Sequence, residues 1–435
     1  GGWGLIITED YAVNPHAMGY KYVAGLWNDE QIESHKKMID RVHQYGTKIF
    51  CQIYHAGRQT HHGANWGVQP VSVSAIQCPW NRDMPRELTI EEIEEIVKQF
   101  GQTALRAKKA GFDGVEIHAG NGYLIAGFLS PLQNKRTDKY GGCFQNRIRI
   151  LKEVYDEVRA NVGDDFPIMV RFSAEEHAVG GRTIAESRLI AKLMEEWGVD
   201  AINCSNGLYG THNLGQVAPM FLPNAWTIEN AAELKKVVKI PVLGVNRIND
   251  PMMADQLIAM GKCDLIGMAR GSLADPDLPN KAKAGDFQSI RYCIGCMQEC
   301  TGHTYLNIPI GCVVNPELGL EYKYNLGKVE EPKDIIVVGG GVAGMQAAIA
   351  AARRGHKVEL YEAKSQLGGQ FRSAAYPPGK GGLAAYTAWL IHELEELDVE
   401  VHLNTEVTAE LIKSKSADKV ILATGATPCT PPVPG

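Results

Sequence analysis

Three short stretches of the chain carry residue types that could do chemistry. Cys293, Cys296, Cys300 and Cys312 are spaced C-x2-C-x3-C-x11-C and are followed closely by Asn315-Pro316. Soft thiolates at that spacing hold either an iron-sulfur cluster or zinc. Upstream lies His118-Ala119-Gly120-Asn121-Gly122-Tyr123. His118 and Asn121 could donate together to one carbonyl oxygen and polarise it, while Tyr123 supplies a phenolic proton, an arrangement that would activate an unsaturated carbonyl. The same residues would serve equally as a satisfied core histidine and a packing aromatic. Some twenty residues after the last cysteine, the apolar run Asp334 to Val338 leads into Gly339, Gly341 and Gly344, a dinucleotide-binding turn. A metal placed beside a nucleotide site suggests redox traffic.

These residues need a frame. Seven short apolar runs, residues 4–9, 48–54, 114–119, 167–173, 201–206, 241–246 and 265–270, alternate with amphipathic helical stretches such as Thr89 to Gly111 and Thr183 to Gly198. Continuous apolar runs separated by helices are what a parallel sheet covered by helices requires. Thr89-Ile90-Glu91-Glu92 reads as a helix cap. Gln52, His55, His118 to Tyr123, Arg171, Arg247 and Arg270 fall at the C-terminal ends of the runs, the rim where a TIM barrel builds its active site. A barrel needs eight strands, so the first is expected upstream of Gly1 and the chain reads as a fragment. The second unit starts near Pro332: strand, glycine turn, Ala-rich helix 346–354, a second strand Lys357 to Tyr361 and the acid Glu362 form one βαβ unit. It ends after residues 420–425 in a domain expected to be truncated.

Composition excludes little but excludes it clearly. At 435 residues with 45% hydrophobic content, two or three domains are expected. A formal charge of −6 gives no sign of a nucleic-acid partner. No apolar stretch reaches spanning length, so no membrane partner is expected. Four cysteines cluster while Cys51, Cys78, Cys143, Cys204, Cys263 and Cys429 are scattered, which suits a reducing cytoplasm. A homo-oligomer is left open.

His118, Asn121 and Tyr123, with Phe128-Leu129-Ser130-Pro131, residues 134–138 and Tyr140-Gly141-Gly142, closely resemble the flavin barrel of the Old Yellow Enzyme family. The cysteine run and nucleotide turn narrow the resemblance to its long branch, which includes 2,4-dienoyl-CoA reductase, 2-enoate reductase and trimethylamine dehydrogenase. It implies a (β/α)8 FMN barrel over 1–285, a [4Fe-4S] segment over 286–331 and a Rossmann-like FAD and NAD(P) domain over 332–435. Catalysis is implied for Tyr123, His118 and Asn121. FMN is implied at Gln52 and Arg171, and its phosphate at Arg247, Ala269 and Arg270. FAD is implied at Gly339, Gly341, Ala343, Gly344, Glu362, Gln370 and Val407. For the cysteines the resemblance implies a cluster. The spacing agrees, since structural zinc usually pairs two close knuckles and here one thiolate is remote.

Nicotinamide delivers electrons in pairs and a cluster takes them singly, and a flavin on each side resolves the mismatch. The expected route is NADH or NADPH to FAD, to the cluster, to FMN, and as hydride to the β-carbon of an α,β-unsaturated carbonyl, enoate or enoyl-CoA. Tyr123 would protonate the α-carbon. In one respect the chain departs from the dienoyl-CoA reductases: where they carry a helper histidine after the sixth strand, Tyr209 stands, with His212 three residues on. Two other readings remain: a trimethylamine dehydrogenase-like enzyme running electrons the opposite way, and a zinc-stapled nucleotide-binding protein without catalysis.

Overall fold

The computed structural model describes residues 1–209, 216–324, 327–427, 429 and 432–433. By internal contacts the chain divides into two units, Gly1–Ala218 with Pro223–Ala269 and Thr301–Pro309, and Pro219–Leu222 with Arg270–Cys300 and Ile310–Gly435.

The first unit is built on seven parallel strands: β1 (Leu5–Ala12), β2 (Lys48–Tyr54), β5 (Gly114–Ala119), β6 (Ile168–Ser173), β7 (Ala201–Ser205), β8 (Val242–Gly244) and β9 (Leu265–Ile266), neighbours in that order. A short pair, β3 (Val71–Ser72) and β4 (Arg86–Glu87), lies between β2 and β5 in sequence. Helices follow the strands, giving the (β/α)8 barrel topology with seven of its strands among the described residues. The last two runs are shorter than their apolar extent suggests: β8 stops before Asn246 and Arg247, both at positive φ, and residues beyond Ile266 turn into the helix Ala269–Ala274. Helix boundaries follow the local chemistry. Thr89 Oγ1 accepts from Glu92 N at 3.2 Å and Thr89 N donates to Glu92 Oε2 at 2.8 Å, a reciprocal cap that starts Ile90–Ala110. Gly111 ends that helix at φ +99°, where a side chain would be strained.

Register decides what faces the barrel interior. Gln52 stands opposite both Asp10 and Glu116, while His118 stands opposite Arg171 and Arg171 opposite Asn203. Because side chains alternate, Glu116 and His118 share a face of β5, and the six residues form one interior belt. The pairing of β1 with β2 slips between Ile7 and Asp10, so three residues of β1 span two of β2. Without that bulge Glu9 would oppose Gln52; with it Asp10 does, and Glu9 is exposed.

The second unit holds a four-stranded parallel sheet in the order β12 (Glu400–His402), β11 (Lys357–Tyr361), β10 (Asp334–Val338), β13 (Lys419–Leu422). The helix Val342–Arg353 connects β10 to β11 and packs through Met345, Ala348 and Ile349 into a core shared with Val337 and Leu360. The helix Gly381–Glu396 adds Tyr386, Trp389 and Leu390 to the same core. No helix among the described residues is long and apolar enough to cross a membrane.

Candidate active site and cofactor sites

At the C-terminal rim of the first unit, β5 runs into a tight turn in which Asn121 and Gly122 both have positive φ, +58° and +86°. The turn brings the Tyr123 ring edge-on to His118, with centroids 4.8 Å apart. His118 Nδ1 accepts from Gly120 N at 3.1 Å, which leaves the proton on Nε2. Burial, reinforced by the Arg171 charge, holds the imidazole pKa well below its ordinary value, so His118 is a neutral donor. Its Nε2 lies 3.8 Å from Asp10 Oδ1. Burial pushes the Tyr123 phenol well above its ordinary pKa, as a proton donor at neutral pH requires.

Asn121 is engaged differently. Its Nδ2 donates to Ser205 Oγ at 3.2 Å and to the Asn206 carbonyl at 2.9 Å, so to join His118 on a ligand oxygen it must release Ser205. Tyr209, singled out in the sequence, touches Tyr123 directly through a hydroxyl contact of 2.8 Å. His212 lies outside the described residues.

Gln52 and Arg171 line the same belt. Gln52 Nε2 donates to Glu116 Oε2, and Asn203 Nδ2 donates to Glu116 Oε1 at 2.7 Å. With its NH2 held, Gln52 has its carbonyl oxygen to offer. Arg171 donates from one guanidinium nitrogen to Ser205 Oγ at 3.2 Å, and its buried Nε has no partner among the described residues. An unmet acceptor for a buried cationic donor is what an anionic or carbonyl-bearing ring such as FMN would supply. Arg247 follows β8 with φ +57°; Ala269 ends the first unit and Arg270 belongs to the second.

In the nucleotide unit each glycine has its own reason. A Cβ on Gly339 would meet the Ala423 carbonyl oxygen at 2.3 Å, and one on Gly344 would meet the Gly339 carbonyl oxygen at 1.8 Å, so both are fixed by strand-to-helix packing. Gly341 faces open space, the room a pyrophosphate needs. Glu362 already accepts from Gly340 N at 2.7 Å and Lys364 N at 2.9 Å, and its remaining lone pairs are what a ribose would use. Ala343 lies in the first turn of the helix Val342–Arg353, and Gln370 Nε2 donates to the Ala426 carbonyl. Val407 packs against Ile336, Val338 and Tyr361.

Cys293, Cys296, Cys300 and Cys312 line one cavity with Leu273, Ile294, Val313 and Val314. Gly295 N donates to Cys293 Sγ at 3.4 Å, and backbone N–H groups of Gln298, Val314 and Asn315 face Cys296 and Cys312. Among the described residues no three cysteine sulfurs lie within 4.8 Å of one another. A zinc tetrahedron with Zn–S near 2.3 Å would set them about 3.8 Å apart. Four cysteines around one cavity, with N–H groups aimed at sulfur and no three sulfurs set for a zinc tetrahedron among the described residues, fit a cluster better than a single zinc ion.

Three residues of the interior belt are not marked by the sequence: Asp10, Glu116 and Asn203, the last a single amide in the buried apolar run Ala201–Ser205. Asp10 was hidden because only the bulge turns it inward, and Glu116 because one acid within an apolar run carries no spacing signal; its isolation in a fully buried strand was the available clue.

Residues 1–288 match the NADH:flavin oxidoreductase / NADH oxidase family and residues 334–427 the FAD dependent oxidoreductase family. The chain is 44% identical to an NADH oxidase from Thermoanaerobacter brockii, over 100% of this chain and 67% of that protein. It is 39% identical to a cinnamate reductase from Clostridium sporogenes, over 93% and 63%. A solved 2-naphthoyl-CoA reductase superposes with TM-score 0.95 at 32% identity, covering 99% of this chain and 68% of that one. A histamine dehydrogenase from Rhizobium sp. 4-9 superposes at 0.89 with 27% identity, covering 98% and 62%. The chain thus spans about two thirds of the length of these relatives. An FMN-type barrel joined to an FAD-type nucleotide domain, it belongs to the NADH:flavin oxidoreductase / NADH oxidase family.

Proposed function

We propose that the protein to which this chain belongs reduces the C=C bond of a small α,β-unsaturated carbonyl, enoate or enoyl-CoA. The observation that carries the reading is the pair formed by neutral His118 and high-pKa Tyr123 at the rim of a flavin-family barrel. FMN held by Gln52, Arg171, Arg247, Ala269 and Arg270 would supply hydride, replenished from NADH or NADPH through FAD at the glycine turn and a [4Fe-4S] cluster on the four cysteines. His118 Nε2–H, with Asn121 once it leaves Ser205, donates to the substrate carbonyl and draws charge from the β-carbon. Tyr123 then gives its proton to the α-carbon. The functional division is the one drawn from the sequence, 1–285, 286–331 and 332–435.

The test is stopped-flow on the full-length enzyme. Tyr123→Phe should slow the oxidative half-reaction with a cinnamate-like or CoA-linked enoate by about a hundredfold, with the reductive half-reaction unaffected. Undiminished enoate reduction in that variant would sink the assignment. The likeness to histamine dehydrogenase makes an amine the necessary control, and faster reduction of the enzyme by a methylated amine than oxidation by any enoate would favour the reverse electron flow.

A further inference from the structure

The Tyr123 hydroxyl does not stand alone. It contacts the Tyr209 hydroxyl at 2.8 Å, which contacts the Tyr20 hydroxyl at 2.7 Å. Asp10 stands beside the same pair, its Oδ1 3.8 Å from the His118 Nε2 whose ring packs edge-on to Tyr123, and its carboxyl interacts with the Tyr123 hydroxyl. Tyr123 is 3% exposed and Tyr20 and Tyr209 are half-buried, so the hydroxyl row leads outward from Tyr123, while the Asp10 side chain at its other end is 20% exposed. We propose that Asp10, Tyr123, Tyr209 and Tyr20 form a proton relay in which Asp10 stores the proton that recharges Tyr123 after each turnover.

The proposal rests on the reading of Tyr123 as the proton donor. When Tyr123 releases its proton to the substrate carbon, the Asp10 O–H bond breaks and the Tyr123 O–H bond re-forms, leaving a carboxylate. A solvent proton then enters at Tyr20; Tyr20 passes its own to Tyr209, Tyr209 to Tyr123, and Tyr123 to Asp10. Every hydroxyl ends as it began, and the row only reverses its hydrogen-bond direction with the state of Asp10. A phenol chain suits this because each member both donates and accepts.

The surroundings of Asp10 give it the right proton affinity for a store. Burial raises its pKa to about 7, with Glu9 and Glu116 adding to the rise and the Tyr123 hydrogen bond and the Arg171 charge opposing it. His118 is neutral, and Tyr20, Tyr54 and Tyr209 are phenols whose own pKa values burial pushes up, so none of them competes for the charge. The folded carboxyl keeps a proton that the unfolded chain releases near pH 4, so the contribution of Asp10 to stability is greatest below about pH 4 and declines as pH rises toward about 7. Asp10 acts through Tyr123 and not on the substrate, so it is a positioning residue in the proton's path.

Infrared pH titration of the oxidised, substrate-free, full-length holoenzyme reads the store without turnover. A protonated-carboxyl band should be present at pH 6, largely lost by pH 8, and missing from Asp10→Asn; no titrating band in that interval, or one that survives Asp10→Asn, overturns the proposal. Stopped-flow supplies the second reading. The wild-type oxidative half-reaction should slow as pH rises through 7, whereas Asp10→Asn and Tyr209→Phe should both be about tenfold slower at pH 6 and lose that pH dependence. An unchanged pH profile in both variants also overturns it. Should Tyr123→Phe prove harmless, the donor assignment fails, while the infrared result still decides whether Asp10 holds a proton.

Discussion

At the scale of single residues, the interior belt is governed by one carboxylate. Glu116 is fully buried, accepts from the amides of Gln52 and Asn203, and has its pKa raised by burial against the opposing charge of Arg171. Its contribution is orientation: with both Glu116 oxygens accepting from amide NH2 groups, the Gln52 NH2 is held and the Gln52 carbonyl is left to face a ring N–H. Glu116→Gln preserves shape but can satisfy only one of the two amides, and the other would meet an NH2 head-on. A buried donor left unmet costs about 1–3 kcal/mol, so FMN affinity should fall about tenfold or more in a fluorescence titration of the apoprotein. An unchanged Kd would mean that Gln52 presents its other face.

At the scale of elements, the strands were legible because each is a continuous apolar run, and all seven barrel runs form strands in the order expected. The rim was legible for the same reason, since His118, Arg171 and Gln52 fall where runs end. What the sequence hid depends on one extra residue and on long-range closure. The bulge in β1 exchanges Glu9 for Asp10 on the inner face, and no local signal marks it. Tyr20 and Tyr209 meet across 189 positions, a contact made by loops whose spacing says nothing. The glycine turn shows the opposite case, where one motif contains two separable demands. Gly344→Ala drives a Cβ into the Gly339 carbonyl and should lower stability by about 1–3 kcal/mol in thermal melts. Gly341→Ala has room around it, so its melting curve should shift by less than about 0.5 kcal/mol while FAD retention falls. Equal stability losses in the two would contradict this division of labour.

For the whole molecule, the proposed route requires a one-electron station between two flavins, and the cysteine cavity is the place whose chemistry suits it. Leu273, Ile294, Val313 and Val314 around the four sulfurs would limit water at a cluster, and the N–H groups on Cys293, Cys296 and Cys312, with Arg270 on the same wall, would offset its negative charge. Burial raises the thiol pKa of Cys296 and Cys312, so metal binding at these sulfurs must displace protons. Removing one ligand should therefore disconnect the two ends without destroying either. In full-length Cys300→Ser, bound iron and the broad visible absorption should fall away, and NADH-driven enoate reduction should drop by about a hundredfold or more. Enoate reduction by enzyme first reduced with dithionite should persist, because the His118 and Tyr123 site lies in the barrel unit and needs only reduced FMN. Retention of NADH-driven turnover after iron loss would show that electrons bypass the cysteines, and zinc in place of iron in the wild-type protein would remove the wire altogether.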